Sequence, residues 1–199
     1  MPRTLVLAST SPYRRKLLQD WGLPHEAAAP QFVEDHDVDL PPSELVRSFA
    51  RQKAVSLASL HPEALILGSD QIVEMDGVIL NKPGTTEAAV SQLMRLQGRT
   101  HRLQTAVALH DAKLRKTWEE CVEVQMRMRP LTEELAALYV ARDNPIDCAG
   151  SYKVESVGAA LFEGMEGVDH TAIIGLPITA VSRLLQRAGE DLLERILKS

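Results

Sequence analysis

The residues of this chain best suited to chemistry are charged side chains in positions where local sequence rules disfavour charge. Asp70 lies inside an apolar run, between Gly68-Ser69 and Ile72-Val73, where an unpaired carboxylate is costly to bury. Lys53 lies in the middle of the apolar face of a predicted helix. An acid and an amine in such positions indicate a site for proton transfer or ligand binding. The non-catalytic alternatives are a structural ion pair for Asp70 and a Lys53 side chain that extends along the surface to water.

Basic residues also crowd the start of the first predicted helix. Ser11 is a favourable N-cap, and Arg14, Arg15 and Lys16 follow it within the first turns. Each cation there is unfavourable by up to about 1 kcal/mol, because the helix N-terminus is itself positive. A bound anion would make these cations favourable, since the helix N–H groups, the Ser9 hydroxyl and an arginine would all point at it. The alternative is that these cations point outward into solvent.

Two further segments carry candidate site residues. Lys82 directly follows a predicted hairpin strand and precedes Pro83, which holds it extended and aims its ammonium group in a fixed direction. A solvated turn lysine is the simpler interpretation of Lys82 alone. The block from Asp147 to Glu155 has small residues followed by alternating polar ones, which either line a pocket or form an edge strand.

These side chains must be positioned by helices and strands that mix along the chain. The apolar patterns predict strands at residues 4–8, 64–75, 78–80, 103–109, 122–128, 159–163 and 171–174. Capping and periodicity predict helices at residues 12–21, 43–59, 86–96, 132–142 and from 177 onward. We expect an α/β fold in which helices flank a twisted mixed β-sheet. It should form one domain over residues 1–199, with two lobes around a central cleft.

Composition excludes several classes of function. The net charge of −5 over 199 residues disfavours a nucleic-acid partner. No apolar run approaches the ~20 residues of a membrane span, and the N-terminus does not resemble a signal peptide. Cys121 and Cys148 offer neither a disulfide framework nor a metal spacing, so we expect a cytoplasmic protein without a membrane partner. The histidines also lack metal-ligand spacing, and His101 and His110 are expected at the surface.

Seven short motifs lie in order over nearly the whole chain. They are LASTSPYRR at 7–15, AP at 29–30 with Glu34, RQKA at 51–54, GSDQ at 68–71, NKP at 81–83, CAGSYK at 148–153 and IGLP at 174–177. Together they resemble the Maf family of nucleoside triphosphate pyrophosphatases. The chain departs from the family pattern at Val33, where an aspartate usually precedes the glutamate that matches Glu34; Asp35 is adjacent.

The resemblance implies hydrolysis between the α and β phosphates, which releases a nucleoside monophosphate and pyrophosphate. It implies that Asp70 is the proton acceptor and that Glu34 and Asp70 bind a divalent cation, Mg²⁺ or Mn²⁺. The phosphate-binding residues that it implies are Ser9, Arg14, Lys53 and Lys82. It also implies a small-molecule nucleotide substrate and a homodimer.

Within the family, the chain resembles the branch that acts on 7-methyl-GTP and removes modified nucleotides from the pool. The residues concerned are Tyr13, Gln71 and Glu155, which the resemblance assigns to substrate specificity. The branch that acts on dTTP and UTP typically has arginine in place of Tyr13 and glutamine in place of Glu155. An aromatic face and a carboxylate suit the positive charge that N7-methylation gives guanine. The alternatives are a dTTP/UTP pyrophosphatase and a non-catalytic nucleotide-binding regulator of septum formation.

Overall fold

The computed structural model describes residues 3–34 and 40–198, which form a mixed seven-stranded sheet flanked by helices. The strands are β1 (Leu5–Ala8), β2 (Glu26–Ala28), β3 (Leu65–Met75), β4 (Val78–Leu80), β5 (Thr100–Asp111), β6 (Lys116–Met128) and β7 (Phe162–Glu166). The helices are α1 (Pro12–Asp20), α2 (Pro42–Val55), α3 (Thr86–Leu96), α4 (Glu133–Asp143), α5 (Thr171–Ile174), α6 (Ile178–Arg187) and α7 (Leu192–Leu197). The predicted α/β class is confirmed. None of these helices is both long and apolar enough to cross a membrane.

The sheet contains a gap beside the middle of β3. The strand order is β2-β1-β3-β5-β6-β7, and β4 pairs with β3 on the same side as β1. The pairing of β1 with β3 ends at Gly68, and that of β4 begins at Val73. Within the described chain, residues 69–72 therefore have no strand neighbour on that side. The loops that follow β1 and β4 flank this gap, and a cleft opens over it.

Alternation along β3 divides its side chains between the two faces of the sheet. Ile66 and Ile72 belong to an apolar cluster with Val46 and Ala50 of α2. The cluster on the opposite face joins the other set of β3 side chains to α1, α3, α4 and α6. Because side chains alternate between faces, Asp70 lies on the α2 face, and its neighbours in sequence lie on the other.

Gly68 permits the close packing of α2 on β3. A Cβ atom at this position would lie 2.2 Å from the Ala50 carbonyl oxygen, which is far closer than any atom pair tolerates. The absence of a side chain lets the helix backbone lie directly on the strand. This contact carries Lys53, one helical turn beyond Ala50, to the level of Asp70.

Of the predicted strands, the one at residues 159–163 is displaced and the one at residues 171–174 is wrong. Residues Val157–Leu161 form a 3₁₀ turn, and β7 begins only at Phe162. Residues Thr171–Ile174 form the short helix α5, which ends at Gly175 in the left-handed conformation with φ of 102°. A short apolar run does not distinguish a strand from a buried helical turn. The prediction also lacked β2 and α7.

The expected surface position of the two histidines is also wrong. His101 is 1% exposed and His110 is 6% exposed. Both lie on β5, which runs inside the sheet between β3 and β6. His101 packs beside the rings of Tyr152 and Phe162, and its Nε2 lies 3.0 Å from the Tyr152 hydroxyl. Burial lowers the pKa of His101 to about 4, so the ring is neutral at neutral pH.

Candidate active site

A cavity of about 620 Å³ opens over the gap in the sheet. Its walls come from the loop after β1, the start of α1, α2, the middle of β3, the end of β4 and the segment 147–155. Its volume is within the range of small-molecule sites. All the predicted site residues line it: Ser9, Tyr13, Arg14, Glu34, Lys53, Asp70, Gln71, Lys82 and Glu155. The fold therefore gathers side chains from distant stretches of the chain around one cleft.

Lys53 joins two carboxylates at the floor of the cleft. Its Nζ donates to Asp70 Oδ1 at 2.6 Å and lies 2.6 Å from Glu34 Oε1. The side chains of Lys53 and Asp70 are only 9% and 11% exposed. The lysine is thus buried with partners and does not extend to solvent. The two acids converge on one position that holds a positive charge.

The basic residues at the start of α1 divide between the cleft and the solvent. The Ser11 side chain caps the helix by accepting from the Arg14 backbone N–H. Arg14 turns inward, where its Nε donates to the Gly175 carbonyl at 2.7 Å and its Nη1 lies 3.5 Å from Ser9 Oγ. Burial lowers the pKa of Arg14, and the negative charges of Asp70 and Glu34 act in the opposite direction. Lys16, two residues after Arg14 in α1, is exposed and pairs with Asp20.

A polar network holds Tyr13 in the wall of the cleft. The Tyr13 hydroxyl donates to Asp147 Oδ2 at 3.3 Å. The Lys153 Nζ lies 5.7 Å from the centre of the Tyr13 ring and 3.6 Å from Asp147 Oδ1. It also donates to the carbonyls of Asp143 and Asn144, each at 3.1 Å. Burial raises the pKa of Tyr13, which keeps its hydroxyl protonated as a donor.

Backbone carbonyls of α5 and of Gly175 accept hydrogen bonds from residues that line the cleft. Gln71 Nε2 lies 2.7 Å from the Ala172 carbonyl and 3.2 Å from the Ile173 carbonyl. The fully buried Ser69 hydroxyl lies 2.8 Å from the Gly175 carbonyl, which also accepts from Arg14. One short turn therefore supports both Gln71 and Arg14, which line the cleft.

The charge of the cleft suits a nucleotide only together with an additional cation. Three cationic side chains and four carboxylates are among the described residues that line it. A nucleoside triphosphate carries about four negative charges near neutral pH, so these side chains alone do not neutralise it. Residues 3–34 and 40–198 contain no cluster of three or more His, Cys, Asp or Glu side chains that could hold a metal ion unaided. The two converging carboxylates instead fit Mg²⁺, which is usually bound by one or two carboxylates together with substrate phosphates.

Comparison with known proteins identifies the family. A family model described as "Maf-like protein" matches residues 4–188. The chain belongs to the Maf family. The resemblance inferred from the seven short motifs is therefore confirmed. Of the two acids near Val33, Glu34 contacts Lys53 and Asp35 lies outside the described residues of this Maf protein.

Several curated relatives match this Maf protein along nearly its full length. A protein from Syntrophotalea carbinolica is 43% identical over 188 residues, which cover 94% of this chain and 95% of the relative. A protein from Aromatoleum aromaticum is 42% identical over 185 residues, or 93% of this chain and 95% of the relative. A protein from Pseudomonas aeruginosa is 40% identical over 188 residues, or 94% of this chain and 98% of the relative. Each of the three is named 7-methyl-GTP pyrophosphatase.

Sequence reasoning missed three polar residues that support the site of this Maf protein. Asp147 and Lys153 lie in a block for which the sequence favours either a pocket lining or an edge strand, and nothing in their spacing indicates contact with Tyr13. Thr105 is fully buried behind Gln71, with its hydroxyl 2.9 Å from Gln71 Nε2. The available signal for Thr105 was a hydroxyl residue among the apolar side chains of a predicted strand.

Proposed function

We propose that this Maf protein hydrolyses 7-methyl-GTP to 7-methyl-GMP and pyrophosphate and so removes a modified nucleotide from the pool. The observation that carries the proposal is the buried contact of Lys53 with Asp70 and Glu34 at the floor of a nucleotide-sized cleft. The names of the curated relatives support the choice of substrate.

Asp70 is the proton acceptor in this proposal. Lys53 orients the carboxylate through Oδ1, and Asp70 takes a proton from the attacking water. The water oxygen forms a bond to the α phosphorus as the bond from that phosphorus to the bridging oxygen breaks. Pyrophosphate leaves with the electron pair, and the nucleoside monophosphate retains the water oxygen.

The remaining cations and donors hold the phosphates. Arg14 is fixed through its Nε, which leaves its terminal nitrogens to donate to phosphate oxygens. Ser9 and the start of α1 lie on the same wall of the cleft. Lys82 is exposed at the end of β4 and adds a further positive charge. These groups stabilise the charge that develops on the leaving pyrophosphate.

Glu34 and Asp70 are the proposed ligands of a divalent cation, Mg²⁺ or Mn²⁺. When bound, such an ion neutralises phosphate charge that the side chains of the cleft leave unbalanced. Lys53 keeps the two carboxylates together before the nucleotide binds. Both roles of Asp70, proton acceptor and metal ligand, are predictions from the family resemblance.

Tyr13, Gln71 and Glu155 are proposed to select the base. The Tyr13 ring offers an aromatic face to the cationic ring of 7-methylguanine. The exposed Glu155 carboxylate can accept from the guanine N1–H and its 2-amino group. Tyr13 and Glu155 differ from the residues typical of the dTTP/UTP branch, which supports the 7-methyl-GTP branch. A cytoplasmic location, a homodimer and the absence of a nucleic-acid partner remain predictions.

A panel of nucleotides tests the proposal. The purified protein is incubated in ¹⁸O-water with Mg²⁺ or Mn²⁺ and one of the nucleotides 7-methyl-GTP, GTP, dTTP or UTP. The products are separated by chromatography and identified by mass spectrometry. We expect the highest kcat/KM with 7-methyl-GTP and ¹⁸O in the monophosphate. Faster turnover of dTTP and UTP would place the protein in the other branch. A failure to release pyrophosphate from any of these nucleotides would favour the non-catalytic regulator.

A further inference from the structure

Three acceptors surround the side-chain nitrogen of Gln71. Its Nε2 lies 2.7 Å from the Ala172 carbonyl, 3.2 Å from the Ile173 carbonyl and 2.9 Å from Thr105 Oγ1. The Thr105 hydroxyl itself donates to the Ala172 carbonyl at 2.9 Å. Because a hydroxyl has a single hydrogen, Thr105 Oγ1 accepts from Gln71 and cannot donate to it.

This arrangement permits one orientation of the Gln71 amide. A flip would place Oε1 against two carbonyl oxygens and a hydroxyl whose hydrogen is already used. Within the described part of the chain, Oε1 accepts no hydrogen bond, and it is not among the buried polar atoms that lack a partner. Since Gln71 lines the cleft, its oxygen is the polar atom that it offers to a ligand.

The turn that carries these carbonyls is itself firmly held. The buried Asp169 carboxylate accepts from the backbone N–H and the hydroxyl of both Thr171 and Thr179. Thr171 Oγ1 in turn accepts from the Ile178 N–H at 2.8 Å. These bonds hold α5 to the start of α6, and the Thr105 hydroxyl links α5 to β5.

We propose that Thr105 is a positioning residue that sets base selectivity by holding Gln71 with its oxygen toward the cleft. The inference rests on the proposed function. The base end of the cleft, which we define by Tyr13, Gln71 and Glu155, then presents the acceptors of Gln71 and Glu155. These acceptors match the adjacent N1–H and 2-amino donors of guanine. Hypoxanthine lacks the amino group, and uracil and thymine place one N–H between two carbonyls. These bases would leave an acceptor of the cleft unpaired, which weakens their binding.

The test compares 7-methyl-GTP with 7-methyl-ITP, which lacks only the 2-amino group. We measure kcat/KM for both nucleotides with the wild type, Thr105→Val, Thr105→Ser and Thr117→Val. The wild type should prefer 7-methyl-GTP by roughly tenfold or more. Thr105→Val should lower that preference by roughly threefold or more, because the Ala172 and Ile173 carbonyls still orient the Gln71 amide but lose their link to β5. Thr105→Ser keeps the hydroxyl and should keep the preference. Thr117→Val is the matched control, because Thr117 bonds to His110 elsewhere in the same sheet.

A double substitution separates positioning from general support of the fold. If Thr105 acts through Gln71, adding Thr105→Val to Gln71→Leu changes the preference no further. A merely structural role would lower the turnover of both nucleotides equally and leave their ratio unchanged, which would overturn the inference. Should Thr105→Val fail to fold, Thr105→Cys provides the same comparison with a weaker hydrogen-bonding group.

The proposed function and this inference fail in different ways. If the wild type hydrolyses neither 7-methyl nucleotide, the proposed function is wrong and the inference falls with it. If the wild type hydrolyses both nucleotides equally well, the function stands and the selectivity assigned to Thr105 and Gln71 is refuted.

Discussion

Replacing Lys53 by methionine removes the charge that holds two carboxylates together. Asp70 Oδ1 and Glu34 Oε1 each lie 2.6 Å from Nζ, so they lie within about twice that distance of each other. At an effective dielectric constant of about 20, two negative charges 4–5 Å apart repel by about 3–4 kcal/mol. Breaking a buried ion pair costs about 3–5 kcal/mol. Because the Glu34 side chain is 36% exposed and can turn to water, we expect Lys53→Met to lower the free energy of unfolding by about 3 kcal/mol, at the low end of this range.

Urea unfolding followed by circular dichroism measures this loss. The proteins compared at pH 7.5 with a chelator are the wild type, Lys53→Met, Asp70→Asn and the double variant. The double variant should be more stable than Lys53→Met, because asparagine needs no counter-charge. Millimolar Mg²⁺ should stabilise Lys53→Met more than the wild type, since the cation replaces the lost ammonium group. Two results would refute this explanation. One is a Lys53→Met variant that unfolds at the same urea concentration as the wild type; the other is a double variant that is no more stable than Lys53→Met.

Three other substitutions test the packing, the buried histidine and the base end of the cleft. Gly68→Ala should lower the free energy of unfolding by about 1–3 kcal/mol and reduce turnover, because its Cβ would push α2 and Lys53 away from β3; unchanged turnover would contradict this. The pKa of His101 falls from 6.5 to about 4 on folding. As the pH drops from 6.5 to about 4, the unfolded chain therefore binds a proton that the folded protein does not, and the free energy of unfolding should fall by about 3 kcal/mol. Urea unfolding at pH 7.5 and 4.5 should show a smaller loss in His101→Gln, and equal losses would exclude the effect. Tyr13→Ala should raise KM for 7-methyl-GTP roughly tenfold and leave kcat within a few-fold, and steady-state kinetics in which kcat alone falls would refute base stacking.

The sequence located the cleft because its charged residues conflict with their local surroundings. Asp70 inside an apolar strand and Lys53 on an apolar helical face each need a partner, and in the structure they are partners. The crowding of cations at the start of α1 also drew attention to Arg14, which lines the cleft, but it did not separate Arg14 from the outward-facing Lys16. The difference depends on the Gly175 carbonyl, which lies 161 residues away along the chain.

The features that sequence reasoning missed depend on contacts between distant segments. The Thr105 hydroxyl donates to the Ala172 carbonyl, 67 residues later in the chain, and no local sequence pattern indicates that hydrogen bond. The sequence predicts a strand where helix α5 forms, because four apolar-rich residues carry too little periodicity to distinguish the two. The sequence does not predict the burial of His101, because that burial depends on the rings of Tyr152 and Phe162, which tertiary folding brings beside it.

The most direct test of the account is the turnover of Asp70→Asn with 7-methyl-GTP. Asparagine keeps the shape of the side chain and removes the carboxylate that accepts the proton. We expect pyrophosphate release to fall at least ~100-fold while the circular dichroism spectrum stays that of the folded protein. Asp20→Asn, on the exposed pair with Lys16, is the matched control and should keep wild-type turnover. Near-normal pyrophosphate release by Asp70→Asn would contradict the assignment of Asp70 as the base.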